Sequence, residues 1–206
     1  MSQVDSTLET EQAAEAGAGG TSNTGARLHM GIAEQGKVYA LAGKHALALQ
    51  YYRQAIHMAV QAGDPEIFFR HYLECVMESL EQMGAHAEVL AYCEKAIAFY
   101  GEHPPANFLE QRDRAHVYER QGSVLLKRGD KEGAAAAFEQ ALRAAEGSSQ
   151  ALPLAQTLLR WTRSGLHVDA NRVLAEQRRT HYFSVRSDTV DASRAIKLPN
   201  DQIQHA

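Results

Sequence analysis

The sequence predicts an all-α protein, and three observations support that fold class. Apolar residues recur at three- and four-residue spacing from Ala26 to Gly147, which is the period of an amphipathic helix. The stretch QGKVYALAGKHALALQYYRQAI at 35–56 recurs in similar form at 121–142, as QGSVLLKRGDKEGAAAAFEQAL. Glycine interrupts the helical pattern at Gly43, Gly63, Gly84, Gly129 and Gly147.

Residues 1–26 predict a disordered acidic arm. They are rich in Ala, Gly, Ser, Thr and Glu, so they bury too little apolar surface to offset the entropy lost on ordering. They hold four of the 25 acidic residues and no Lys or Arg, which leaves 21 acidic and 21 basic residues in 27–206. A neutral body argues against nucleic-acid binding, because that function requires clustered basic residues.

Composition also bears on the compartment. No stretch approaches the roughly 18–20 consecutive apolar residues of a membrane helix, and no basic segment followed by an apolar run marks a secretory signal. Cys75 and Cys93 are too few for a disulfide framework and are expected to be buried, reduced thiols. We therefore expect a cytoplasmic protein that contacts no membrane, and secretion by a signal-less route stays open.

A third copy of the repeated stretch lies between the other two, at 76–97, so the copies begin at 35, 76 and 121. Each predicts two helices joined by a turn at a glycine, which caps the first helix in the left-handed conformation. We place the three hairpins at about 29–62, 70–103 and 115–148. Pro104 and Pro105 separate the second hairpin from a long helix over 106–128.

The repeats resemble the tetratricopeptide (TPR) family over 29–148. The pattern of Gly, then an aromatic or large residue, then Ala and an aromatic appears twice, as Gly36-x2-Tyr39 with Ala48-x3-Tyr52 and as Gly122-x2-Leu125 with Ala134-x3-Phe138. The copies are 41 and 45 residues apart rather than the nominal repeat of about 34, which is similar to the long-helix variety. The resemblance implies a superhelix of stacked hairpins, an α-solenoid, in which Tyr52 and Phe138 fill the space to the next repeat.

Two segments follow the repeats. Residues 150–179 predict a pair of capping helices that complete a domain over 27–179, with Trp161, the single tryptophan, as a core anchor. Residues 180–206 predict an extended or partly ordered tail, with the composition of a short strand at 181–190. The tail either folds back on the domain or docks on a partner.

Motifs for catalysis are missing from the sequence: it contains no HExxH, CxxC, Walker loop or GxSxG. An H-x-x-E pair occurs twice, as His71 with Glu74 and His116 with Glu119. An i,i+3 pair shares one helix face, so two pairs on adjacent helices could hold a metal for hydrolysis. The simpler interpretation is a polar binding face, and we predict no enzyme, no metal and no cofactor.

The TPR resemblance implies a protein-binding groove on the first helix of each repeat. Glu74, Glu78 and Glu81 form one stripe on the second of these helices. We expect the stripe to be exposed and to meet a basic or amphipathic segment, or else to be a solvated face; it would repel the acidic tails that TPR co-chaperones bind. The predicted groove residues are Lys37, His71, Glu74, Glu78, Glu81, Gln82, His116, Glu119, Ser123 and Lys127.

These patterns favour a non-catalytic protein–protein interaction module, such as an adaptor, assembly factor or chaperone. The alternative is a regulator similar to bacterial TPR proteins that sense a peptide or bind a signalling protein. Homo-oligomers are also expected as an option, since an open terminal repeat can stack and the tail can swap between protomers.

Overall fold

The computed structural model describes the backbone of residues 19–146 and 151–199, and the side chains from residue 28 onward within those ranges. The described residues form eight α-helices and contain no strand, so the all-α prediction is confirmed. No helix among them is long and apolar enough to cross a membrane. The helices are α1 Gly19–Leu41, α2 His45–Ala62, α3 Glu66–Gln82, α4 His86–Glu102, α5 Phe108–Lys127, α6 Lys131–Ala145, α7 Pro153–Arg163 and α8 Ala170–Arg179.

Tight turns join the helices of each predicted hairpin. At Gly43, Gly84 and Gly129 the backbone is left-handed, with φ of 73°, 76° and 87°, as predicted. At the first of these turns Lys44 N donates to Tyr39 O at 2.9 Å, which satisfies a carbonyl at the end of α1. The chain therefore reverses direction within two or three residues at each point.

Packing between successive helices depends on glycine beside an aromatic ring. A β-carbon added at Gly36 would lie 2.6 Å from Tyr52 Cε1, and one added at Gly122 would lie 2.6 Å from Phe138 Cε1. Both rings are completely buried. Each ring thus packs against the glycine of the preceding helix, within one hairpin. Phe138 also lies in one core cluster with Leu154 and Leu158 of α7, so this contact within the hairpin leaves the expectation that the rings reach the next repeat uncontradicted.

The chain divides into two compact units. The first comprises residues up to Ser79 together with those from Val185 onward, and the second comprises Leu80–Ser184. The first unit is built around Tyr51, Tyr52 and Cys75. The core of the second contains Phe138, Leu154, Leu158 and Val173, with Trp161 packed against it. Cys75 and Cys93 are buried and form no disulfide with a described residue, as predicted.

The two chain ends differ from their predictions. Helix α1 begins at Gly19, so residues 19–26 are helical where the sequence predicted part of a disordered arm; residues 1–18 lie outside the described part. The tail has no strand over 181–190 and instead forms turns and a 3-10 helix, Ala192–Arg194. Residues 147–150, at the junction of the third predicted repeat with the capping helices, and residues 200–206 also lie outside the described residues.

Candidate protein-binding surface

Two members of the glutamate stripe are buried, contrary to prediction. Glu78 is 3% exposed and Glu81 2% exposed, while Glu74 is partly buried. Helical spacing correctly places the three carboxylates on one side of α3, but segments far along the chain cover Glu78 and Glu81. The stripe is therefore neither a solvated face nor a surface free to meet a basic partner.

Glu81 lies in a polar network within the second unit. Lys127 Nζ lies 2.8 Å from Glu81 Oε1, and the two side chains are 6% and 0% exposed. Gln177 Nε2 donates to the same oxygen at 2.6 Å, and Tyr182 OH donates to Oε2 at 3.0 Å. Arg120 Nε in turn donates to Tyr182 OH at 3.1 Å. Such a pair is tolerated in a protein interior only when further hydrogen bonds complete it, as they do here.

Glu119 caps a helix of its own chain. Its Oε1 accepts a hydrogen bond from Ala155 N at 3.0 Å, in the first turn of α7, where the N-cap residue Leu152 provides no side-chain acceptor. Its Oε2 lies 3.4 Å from His116 Nδ1, so the second H-x-x-E pair is in contact. Ser123, another predicted groove residue, is buried and donates to the carbonyl of Glu119 at 2.8 Å. These three residues are engaged internally.

Residues 185–199, here called the C-terminal segment, lie against the helices of the first unit. Four of its backbone N–H groups donate hydrogen bonds to residues of those helices. Val185 N donates to Glu78 Oε2 at 3.1 Å and Asp191 N to Glu34 Oε1 at 2.6 Å. Ile196 N donates to Gly31 O at 2.9 Å and Leu198 N to Tyr51 OH at 3.0 Å. We call Gly31, Glu34, Tyr51 and Glu78 the docking surface.

Gly31 lies directly against the side chain of Ile196. A β-carbon at this position would overlap the Ile196 side chain, so only glycine allows Ile196 to approach α1 this closely. The two carboxylate oxygens of Glu34 have different partners. Oε1 accepts a hydrogen bond from Asp191 N, and Oε2 lies 3.0 Å from Lys37 Nζ. Lys37 was predicted in the groove; Gly31, Glu34 and Tyr51 were missed, since the family offsets do not include them. The i,i+3 pair of Glu34 and Lys37 was the one available signal.

The remaining predicted groove residues are accessible. His71 is exposed and Gln82 is partly buried. Among the residues that the structure describes, no group of three or more His, Cys, Asp or Glu side chains is arranged to hold a metal. Neither H-x-x-E pair therefore has a third ligand of those types beside it among the described residues.

His29 is a buried polar residue that the sequence did not single out. Its ring is completely buried, with Nδ1 2.7 Å from Tyr72 OH and Nε2 2.8 Å from Asp64 Oδ2 at a poor hydrogen-bond angle. The Phe68 ring packs edge-on against it. These contacts join the middle of α1 to α3 and to the turn that precedes it, and so stabilise helices that present the docking surface.

Comparison of the chain with protein-family models, with curated proteins and with solved structures gives no match. The TPR resemblance accordingly depends on the residues of this sequence alone.

Proposed function

We propose that the chain is a non-catalytic protein-binding module whose helix pairs are TPR-type hairpins, and that its docking surface takes an extended segment of a partner protein. The observation that carries this proposal is that four backbone N–H groups of the C-terminal segment donate hydrogen bonds to the docking surface. Every residue except proline has such a group, so acceptors arranged to bind it accept other extended sequences as well.

The TPR assignment is supported by a repeated contact. Gly36 and Tyr52 make the same close approach as Gly122 and Phe138, at the same spacing of 16 residues in two copies that lie 86 residues apart. Small residues that allow a helix to pack on a buried ring are what the family pattern requires. We therefore propose that the two copies share the same contact between glycine and ring as well as a similar sequence.

The partner's chemistry follows from the contacts rather than from the acidic stripe. Glu81 and Glu119 already have partners in their own unit, so they do not select for Lys or Arg. Ile196 occupies the space left by the missing side chain of Gly31. The proposed ligand is an extended, amphipathic segment with a branched aliphatic residue at the place of Ile196. It does not need a basic residue.

A peptide-sensing regulator is the second candidate and uses the same surface. The observation that favours it is that the occupant belongs to the same chain, because a tethered occupant makes binding conditional on its release. An adaptor would hold a partner constantly, whereas a regulator would expose the C-terminal segment only when ligand is present. Limited proteolysis at the exposed Ser187, with and without a bound peptide, shows whether peptide binding releases the segment.

The test converts the tether into a separate peptide. A protease site inserted between Ser187 and Asp188 allows the chain to be cleaved, after which a labelled peptide of residues 188–199 is added and its anisotropy measured. We expect binding to the cleaved chain and none to the intact chain. Peptides selected from a random library on the cleaved chain should be displaced by the 188–199 peptide, which identifies the docking surface as the general binding site.

Glu34→Ala is the matched variant, because it removes the acceptor for Asp191 N. It should weaken both the 188–199 peptide and the selected peptides, whereas Glu88→Ala, at an exposed position on α4, should change neither. Selected peptides that bind Glu34→Ala as well as the unaltered chain would place recognition elsewhere and end the proposal. A library that yields no binder to the cleaved chain would do the same.

A further inference from the structure

A cleft of about 480 Å³ opens in the second unit, on residues distinct from the docking surface. One wall is a face of α5, another is the start of α7, and the third is the turn that follows α8. Clefts of this size are typical of sites for small organic molecules. Its principal lining residues are Phe108, Arg112, His116, Leu152, Pro153 and His181.

The α5 wall presents an ordered series of side chains. Phe108, Arg112, His116 and Glu119 are spaced by four, four and three residues, so they share one face of the helix. Phe108 is 50% exposed although it is a large apolar residue. Arg112 is exposed, and it makes no ion pair or hydrogen bond with any residue that the structure describes. The cleft therefore combines an accessible ring with a guanidinium that has no partner among the described residues.

The carboxylate of Glu119, at the end of this series, is almost fully buried. Glu119 accepts a hydrogen bond from Ala155 N and lies against His116, and it is 3% exposed. The accessible charge in the cleft is thus that of Arg112, and the ring nitrogens of His181, which also lines the cleft, add hydrogen-bond donors or acceptors. An anionic group is the ligand chemistry that this arrangement favours.

His181 has a left-handed backbone, which few residues other than glycine adopt. Its φ is 55°, and it is the only described residue other than glycine with positive φ. It follows α8 at the position that glycine holds after α1, with Tyr182 N donating to Gln177 O at 2.9 Å. Non-glycine residues in this conformation cost free energy and concentrate at functional sites. His181 thus adds an imidazole to the residues that line the cleft.

We propose that this cleft binds a small carboxylic acid that carries an aromatic or similarly apolar group. The carboxylate pairs with the Arg112 guanidinium and receives a hydrogen bond from His181. The apolar group packs against Phe108, Leu152 and Pro153, which leave water when it binds.

The test is an NMR titration of the full chain with phenylacetate, with phenylacetamide as the neutral probe of the same shape. We expect saturable amide shifts confined to 108–119, 151–155 and 180–182, with a dissociation constant on the order of 1 mM for so small a ligand. Phenylacetamide should bind at least about tenfold more weakly, because it has no charge to pair with Arg112.

Arg112→Gln should weaken phenylacetate about tenfold, and Arg53→Gln, an exposed arginine on α2, should leave it unchanged. The spectrum of each variant shows whether it is folded. Equal affinity for the two probes, an unchanged affinity in Arg112→Gln, or shifts without saturation would each overturn the proposal. The expected result is a ligand site in the second unit that binds carboxylates and is separate from the docking surface.

Discussion

Lys127 Nζ lies 2.8 Å from Glu81 Oε1, and water reaches neither side chain appreciably. Because the pair is buried, removing one member leaves the other charge without compensation. We expect Glu81→Ala to lower the free energy of unfolding by about 3–5 kcal/mol, measured by urea denaturation. Glu88→Ala, at an exposed position, should change it by less than about 0.5 kcal/mol.

A double variant sharpens this prediction. Glu81→Ala with Lys127→Met removes both charges and should recover much of the stability lost in the single variant. Equal losses in Glu81→Ala and Glu88→Ala would show that the pair is not buried in solution. A Lys substitution at Glu81 is a poor probe of partner binding, since it places two cations together in the interior.

The glycines beside the aromatic rings have a direct test. Gly36→Ala and Gly122→Ala each introduce a β-carbon 2.6 Å from a buried ring, and should cost about 1–3 kcal/mol of stability. Gly101→Ala is the control, because nothing lies within 4 Å of a β-carbon there and alanine favours the helix. It should stabilise the chain by up to about 1 kcal/mol. Thermal unfolding followed by circular dichroism measures all three, and equal effects would contradict the packing described.

Glu119 acts on α7 through Ala155. Glu119→Ala removes the acceptor of the Ala155 N–H and should cost about 1–3 kcal/mol, because that donor lies buried. Hydrogen exchange of the Ala155 amide should accelerate more than exchange in α6. Glu119→Gln retains an acceptor oxygen and should preserve part of the protection. Glu139→Ala, which breaks an exposed ion pair with Arg163, should leave the Ala155 amide unaffected.

His181 offers a substitution that stabilises. His181→Gly relieves the positive φ and should raise the free energy of unfolding by about 1 kcal/mol. His167→Gly, where φ is not positive, should lower stability or leave it unchanged, because glycine gains entropy in the unfolded chain. A destabilised His181→Gly would mean that contacts of the imidazole outweigh the strain.

Stability should also depend on pH through His45. Burial lowers the pKa of this histidine, whose Nδ1 lies 3.4 Å from Ser79 Oγ. Between its lowered pKa and the unfolded value of about 6.5, the unfolded chain binds more protons than the folded chain. The free energy of unfolding should therefore fall as pH falls below about 6.5. His45→Gln should make the urea midpoint less sensitive to acid; an unchanged slope would remove His45 from the cause.

The sequence predicted where the helices lie, but it did not predict which distant segments cover their faces. Periodicity and glycine placed the turns at Gly43, Gly84 and Gly129, because local sequence determines where a helix ends. The burial of Glu81 depends on Gln177 and Tyr182, about a hundred residues away along the chain. The C-terminal segment binds largely through backbone N–H groups, which carry no side-chain signal. Exposure of a helix face can therefore be inferred from spacing only when every covering segment is known.

Tethering sets a numerical threshold for any competitor at the docking surface. A segment linked by a short flexible connection is present at its own site at an effective concentration on the order of 1 mM. A free partner present at micromolar concentration then needs an intrinsic affinity about a thousandfold higher than that of the C-terminal segment to occupy half of the molecules. Weak peptides at micromolar concentration are excluded by this arithmetic, so the tethered segment limits the docking surface to partners of high affinity or high concentration.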